Sequence, residues 1–252
     1  GTGRRTWMFV EVHTDEGILG IGECSQSRLD QGVALAIEEM KPYYVGKNPL
    51  GLIEPSRRQF LANPFASRIR YAAVSGIEQA LWDLTGKALG QPVHVLLGGA
   101  VRERIQLYAN LSQATPSRSP EDLAETAARA VADGFTGVKI YPFPQGAEVA
   151  PNRGVALTRE ERDLAEARIR AVRDAIGPDI ALHTDWAWTV TPADAAQMAE
   201  RLIPYDLFWI EEPFATDDPE EFAALRRQIR PRMAGGEQLS TILPFRQLFE
   251  AR

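Results

Sequence analysis

The chain has 252 residues, 44% hydrophobic and 25% charged, with a net charge of −6. That is a globular composition with material for a core, and the acidic balance argues against nucleic acid or an anionic membrane as partner. The single cysteine, Cys24, excludes an intramolecular disulfide, and there is neither an apolar run of about 18 residues nor a basic-then-apolar leader, so a reducing, cytoplasmic setting is expected.

Thr6 to His13 alternates apolar and polar, Asp15-Glu16-Gly17 makes a turn, and Ile18 to Cys24 alternates again, which predicts a β-hairpin. From Asp30 to about Lys41, and from Ser67 to Leu89, the apolar period becomes helical. The longer stretch stops at Gly90 with Pro92 just beyond. Residues 1–100 therefore read as a small α+β domain, and the opening at Gly1 suggests that its start is missing. Trp82 and Asp83 lie on the long helix, where an aromatic residue belongs to the core.

After Leu97-Gly-Gly-Ala100 strands and helices alternate. Arg104 to Leu111 is predicted as a strand, and Ser119-Pro120 opens a helix with Ser as N-cap and Asp122 in the first turn. Gly137 to Phe143 is a second strand, and Thr158 with Glu161 forms a capping box for a helix running to Ile176. The same signals return at Thr191-Pro192 and at Asp218-Pro219 with Glu221. This is a βα array with parallel strands covered on both faces. Residues 101–252 supply five strand units, whereas a closed barrel needs eight and about 250 residues. The expected fold is an α/β, modified TIM-type (β/α) barrel of which the first five units are present and the last are not. An open five-stranded doubly wound sheet is the alternative.

Three of the strands end in an acid: Ile180 to Asp185, Leu207 to Glu211 and Arg232 to Glu237. The acids recur at a spacing of 26 residues, from 185 to 211 and from 211 to 237. Neighbouring parallel strands lie about 4.8 Å apart, so three tip carboxylates would repel one another without a cation. A hard dication such as Mg²⁺ suits an all-oxygen platform with positions left for water and substrate. Isolated capping acids would explain one carboxylate but not three in register. Glu212 competes with Glu211, but only Glu211 keeps both intervals equal. Lys139 lies between Val138 and Ile140 in a buried strand. An unpaired buried ammonium is costly, so Lys139 is expected at the barrel mouth near the acids. Tyr141 shares its face. His183 shares the face of Asp185 and reads as a hydrogen-bonded core residue. Trp186 and Trp188 either wall a pocket or pack.

Lys139, Asp185, Trp209-Ile-Glu-Glu-Pro213 and Gly236-Glu237 resemble the enolase superfamily, in particular its mandelate racemase and muconate lactonising branch. Asp15-Glu-Gly17, Gly22-Glu23 and Ser75-Gly-Ile-Glu-Gln-Ala-Leu-Trp-Asp-Leu84 are similar to that family's N-terminal capping domain. The resemblance implies Mg²⁺ on Asp185, Glu211 and Glu237, a small-molecule carboxylate substrate, assembly into homo-oligomers, and removal of the proton α to the carboxylate through a metal-stabilised enediolate. Two positions depart from the family's pattern. Tyr141 stands where many relatives carry a second, basic Lys, which casts Lys139 as a substrate-carboxylate ligand and Tyr141 as a hydrogen-bond donor or weak acid. Ala187 stands where relatives often have Asn or His. The principal base is expected on later strands. The resulting expectation is a sugar-acid dehydratase, with Lys139 and Tyr141 catalytic and Lys139, Trp186 and Trp188 touching substrate. The alternatives are a racemase or epimerase of an α-hydroxy or α-amino acid, and a noncatalytic barrel that binds metal or sugar acid.

Overall fold

The computed structural model describes residues 7–26, 29–61, 67–112, 114–143, 156–215 and 218–251. The chain divides into two compact units, one ending at Glu103 and the other beginning at Arg104.

In the N-terminal unit β1 (Phe9–His13) and β2 (Leu19–Glu23) pair antiparallel, with Phe9 opposite Glu23 and His13 opposite Leu19. Three helices follow: α1 (Asp30–Tyr44), α2 (Ile53–Leu61) and α3 (Arg68–Leu89). The hairpin packs backbone to backbone on α3, and two glycines make the contact possible. A Cβ on Gly22 would stand 1.9 Å from the Gly76 carbonyl oxygen, and one on Gly20 2.1 Å from that of Ala80. The Asp83 carboxylate accepts the Ile21 N–H at 2.9 Å, so this residue ties the hairpin to the helix. Trp82 is half-buried, with its indole N–H toward Glu78. Ser67 caps the start of α3 and Gly90, at φ 63, ends it. The core gathers Val33, Met40, Ala73, Val74 and Ile77. No helix was expected at α2, whose polar surface (Glu54, Arg57, Arg58, Gln59) and early Pro55 resemble a loop. A one-turn helix, α4 (Val93–Leu96), follows Pro92.

In the second unit β3 (Ala109–Asn110), β4 (Gly137–Ile140), β5 (Ala181–Asp185), β6 (Leu207–Glu211) and β7 (Arg232–Ala234) form one parallel sheet in chain order among the described residues. Four helices connect them: α5 (Pro120–Ala132), α6 (Arg159–Ile176), α7 (Pro192–Arg201) and α8 (Pro219–Gln228), while α9 (Ile242–Ala251) follows β7. Each connecting helix begins at the cap expected from its sequence. Ser119 and Thr191 accept the N–H groups of Asp122 and Asp194, Asp218 accepts those of Glu220 and Glu221, and Thr158 with Glu161 forms a reciprocal capping box.

The strands are shorter than alternation suggested. Only Ala109 and Asn110 of the 104–111 run pair, and Ile105 and Leu107 upstream are exposed. β4 stops before Pro142, which has no N–H for the ladder, and β7 stops before Gly235 and Gly236. One face of the sheet, with Val138, Ile140, Leu182 and Ile210, is fully buried with Leu123, Ala127, Ile169 and Val172 of the helices. Alternation turns Lys139, His183, Asp185, Trp209 and Glu211 to the other face. The starts of β5 and β6 are held by Arg173, whose guanidinium donates to the carbonyls of Gly177, Ile180, Tyr205 and Asp206.

Candidate active site at the strand tips

Asp185 and Glu211 are the last residues of adjacent strands and stand directly opposite one another in the β5–β6 register. Lys139, one strand away, reaches both. Its ammonium donates to Glu211 Oε1 at 2.7 Å and to Asp185 Oδ2 at 3.3 Å. All three side chains are largely buried, Lys139 to 6% exposure and Asp185 to 5%. Burial works to lower the Lys139 pKa, but the hydrogen bond to Glu211 and the two carboxylate charges outweigh it, and the ammonium is held charged well above its ordinary range. Burial and then the Glu211 charge push the Asp185 carboxyl up to about 6, against the pull of Lys139 and of the Ala187 N–H that Asp185 accepts at 3.0 Å. One ammonium thus offsets only part of the charge of two buried acids.

Tyr141 lies at the edge of this cluster. Burial, then the Asp185 charge, raises its pKa, and its hydroxyl faces the Asn110 side chain and the Asp185 carboxylate. Both Lys139 and Tyr141 therefore keep their protons in this arrangement.

Glu237 is placed differently. It follows the end of β7 by three residues on an exposed turn, and Ala234 is the residue in register with Glu211. Among the described residues no group of three or more His, Cys, Asp or Glu side chains is arranged to hold a metal ion. Asp185 and Glu211 come together and Glu237 does not join them. The equal spacing placed Glu237 at a strand tip, but Gly235 and Gly236 end the strand first. In donor chemistry the buried, under-compensated pair of Asp185 and Glu211 fits a hard dication. Its third oxygen ligand is not assembled.

Glu212 takes a role that strand alternation did not foresee. With φ 44 it leaves the strand, and its carboxylate, 1% exposed, accepts the N–H groups of Gly236 at 2.5 Å and Glu237 at 3.0 Å and the Trp188 indole N–H at 2.9 Å. It fixes the turn that carries Glu237. Trp188 is thus half-buried and engaged with Glu212. Trp186 is a correction to the pocket-wall expectation. It is fully buried, its ring stands edge-on to Phe143 at 5.1 Å, and its N–H donates to Thr184 Oγ1, so it belongs to the helix-side core. The two tryptophans diverge because Ala187 and Trp188, at φ 46 and 59, break the strand alternation between them. His183 is a core residue, as its isolation suggested. Its Nδ1 lies 2.9 Å from the Val138 carbonyl oxygen and its ring packs against Tyr108, Phe208 and Trp209.

Residues 122–252 match the family described as Enolase C-terminal domain-like, and residues 2–98 match the N-terminal domain of mandelate racemase / muconate lactonizing enzyme. Among curated proteins, the D-galactonate dehydratases of Verminephrobacter eiseniae and Ralstonia pickettii are 30% and 31% identical over 246 residues, covering 97% of this chain and 62% of each relative. The chain thus spans about three fifths of the length of these relatives. Among solved structures, the mandelate racemase/muconate lactonizing enzyme from Sulfitobacter sp. superposes with a TM-score of 0.88 at 30% identity, covering 100% of this chain and 65% of that one. The mandelate racemase/muconate lactonizing enzyme-like protein from Roseovarius sp. TM1035 gives 0.86 at 31% identity, covering 97% and 64%. With both domains matched and the parallel sheet in the expected strand order, the chain belongs to the enolase superfamily, in its mandelate racemase and muconate lactonizing enzyme branch.

Proposed function

We propose that this chain is part of a Mg²⁺-dependent dehydratase of sugar acids, which removes the proton α to the substrate carboxylate and expels the β-hydroxyl, so that water leaves and a 2-keto acid remains. The observation that carries the reading is the buried Asp185–Lys139–Glu211 cluster at adjacent strand tips, where ligands gather in barrels of this class. The D-galactonate dehydratase relatives favour dehydration over racemisation or epimerisation of the same intermediate.

Asp185 and Glu211 would hold the ion, and Glu237 would complete the set only by moving in from its turn beyond β7. When bound, the ion supplies positive charge to the carboxylate oxygens on which charge grows as the α-proton leaves. Lys139, held protonated, anchors the substrate carboxylate by charge and hydrogen bonding rather than acting as base. Tyr141, protonated at rest, gives its proton to the departing hydroxyl, which leaves as water. The acceptor of the α-proton is then a further residue. As part of the same reading, the substrate is a small-molecule carboxylate, the enzyme works in the cytoplasm, and it assembles as a homo-oligomer. Among the described residues no helix is long and apolar enough to cross a membrane.

The test is incubation with a sugar-acid library and Mg²⁺ in deuterated water, with Glu211→Gln run in parallel. Dehydration yields 2-keto acid, and Glu211→Gln loses both turnover and Mg²⁺ affinity with little change in melting temperature. Solvent deuterium at the α-carbon without loss of water would replace dehydration by racemisation or epimerisation. Neither product, with Mg²⁺ still bound, would leave a noncatalytic binding barrel. Unchanged Mg²⁺ affinity in Glu211→Gln would overturn the ligand assignment.

A further inference from the structure

Two arginines beside the strand tips have no part in the cluster just described. Arg118, in the segment between β3 and α5, and Arg168, on α6, are both half-buried. Arg118 Nε donates to the Ser112 carbonyl at 3.3 Å, and its guanidinium carbon lies 5.9 Å from the centre of the Tyr141 ring. Arg168 donates through Nε to the Arg118 carbonyl at 2.8 Å and through Nη1 to the Pro142 carbonyl at 2.7 Å. These bonds brace Arg118 at φ 55, in the left-handed region that a side-chain-bearing residue seldom adopts.

The electrostatics of the pair are one-sided. Among the described residues neither guanidinium has a carboxylate partner, and each is satisfied only by neutral backbone oxygens. Burial and then the Arg118 charge depress the Arg168 pKa, so the two cations feel one another. Like charges brought together in a half-buried place without a counter-ion are costly, and an anion between or beside them removes that cost. Among the described residues Arg118 donates only through Nε, and a guanidinium's two terminal nitrogens form the planar fork that grips a carboxylate through both oxygens. Tyr141 connects this place to the acid cluster, with its hydroxyl toward Asp185 and its ring beneath Arg118.

We propose that Arg118, held in position by Arg168, binds the distal carboxylate of a sugar diacid whose reacting carboxylate lies at Lys139. The proposal rests on the dehydratase reading only for the position of that first carboxylate. It narrows the substrate class to acids charged at both ends, whereas the D-galactonate of the relatives carries one carboxylate.

The experiment is calorimetric titration of the full chain in Mg²⁺ buffer with two pairs of probes, galactarate against galactonate and glucarate against gluconate. At least one diacid is expected to bind ten times more tightly than its monoacid. Arg118→Gln should reduce that ratio to below two, and Arg118→Lys should restore part of it. Melting temperatures establish that the variants are folded, and if Arg118→Gln fails that check, Arg168→Gln serves, with the ratio expected to fall as the brace is lost. Failure of both diacids to bind, a wild-type ratio within two, or an undiminished ratio in the folded variant overturns the proposal. Formation of 2-keto acid is scored separately. A monoacid dehydrated with no diacid preference sinks this inference alone, and a diacid preference without turnover sinks the dehydratase reading alone.

Discussion

Replacing Asp185 by Asn should make the metal-free protein more stable at neutral pH. The folded-state pKa of Asp185 is about 6 against an ordinary 3.8, raised first by burial and then by Glu211. Below pH 4 the carboxyl is protonated in both folded and unfolded chains and contributes nothing. Between about 4 and 6 the folded chain keeps a proton that the unfolded chain has lost, so stability falls as pH rises, and above 6 the penalty is constant. A shift of about two units at ~1.4 kcal/mol per unit sets that penalty at about 3 kcal/mol. Asn carries no charge and removes it, while Lys139 keeps its shorter contact, to Glu211 at 2.7 Å. Urea unfolding in EDTA should therefore find Asp185→Asn more stable than wild type by up to about 3 kcal/mol at pH 7.5 and nearly equal to it at pH 4. With Asp185 a ligand as proposed, saturating Mg²⁺ should reverse the order, because the ion would stabilise the wild type and not the variant. A variant less stable than wild type at pH 7.5 in EDTA, or a difference independent of pH, would refute the account of Asp185 as a charge left undercompensated by the fold.

Lys139→Ala should lower turnover by orders of magnitude, and near-normal rates would reduce Lys139 to a structural counter-charge. Glu212→Ala leaves two backbone N–H groups and the Trp188 indole without their acceptor, which should cost about 3 kcal/mol in urea unfolding and weaken Mg²⁺ binding through the displaced Glu237 turn. Unaltered stability would contradict the burial and bonding seen for Glu212. Thr158→Ala removes one half of the capping box on α6 and should destabilise the second unit by about 1 kcal/mol, with Thr158→Ser restoring most of the loss.

Much of this protein could be read from one dimension because its signals are local. A Ser, Thr or Asp followed by Pro or by Glu three residues on states where a helix starts, since the side chain satisfies N–H groups a few residues away. The array of capped helices between apolar strands, and the adjacency of Asp185 and Glu211, follow from such rules and from parallel pairing of successive βα units. What the tertiary structure decided depends on contacts between residues distant in sequence. Equal spacing could not reveal that β7 ends at Ala234 and leaves Glu237 on a turn, nor that Glu212 abandons strand alternation to hold that turn from 24 residues away. Positive φ values at Ala187 and Trp188 sent two neighbouring tryptophans to different places, one to the core and one to Glu212. Arg118 and Arg168 are 50 residues apart and belong to no motif, so only the folded chain brings the two cations together beside Tyr141.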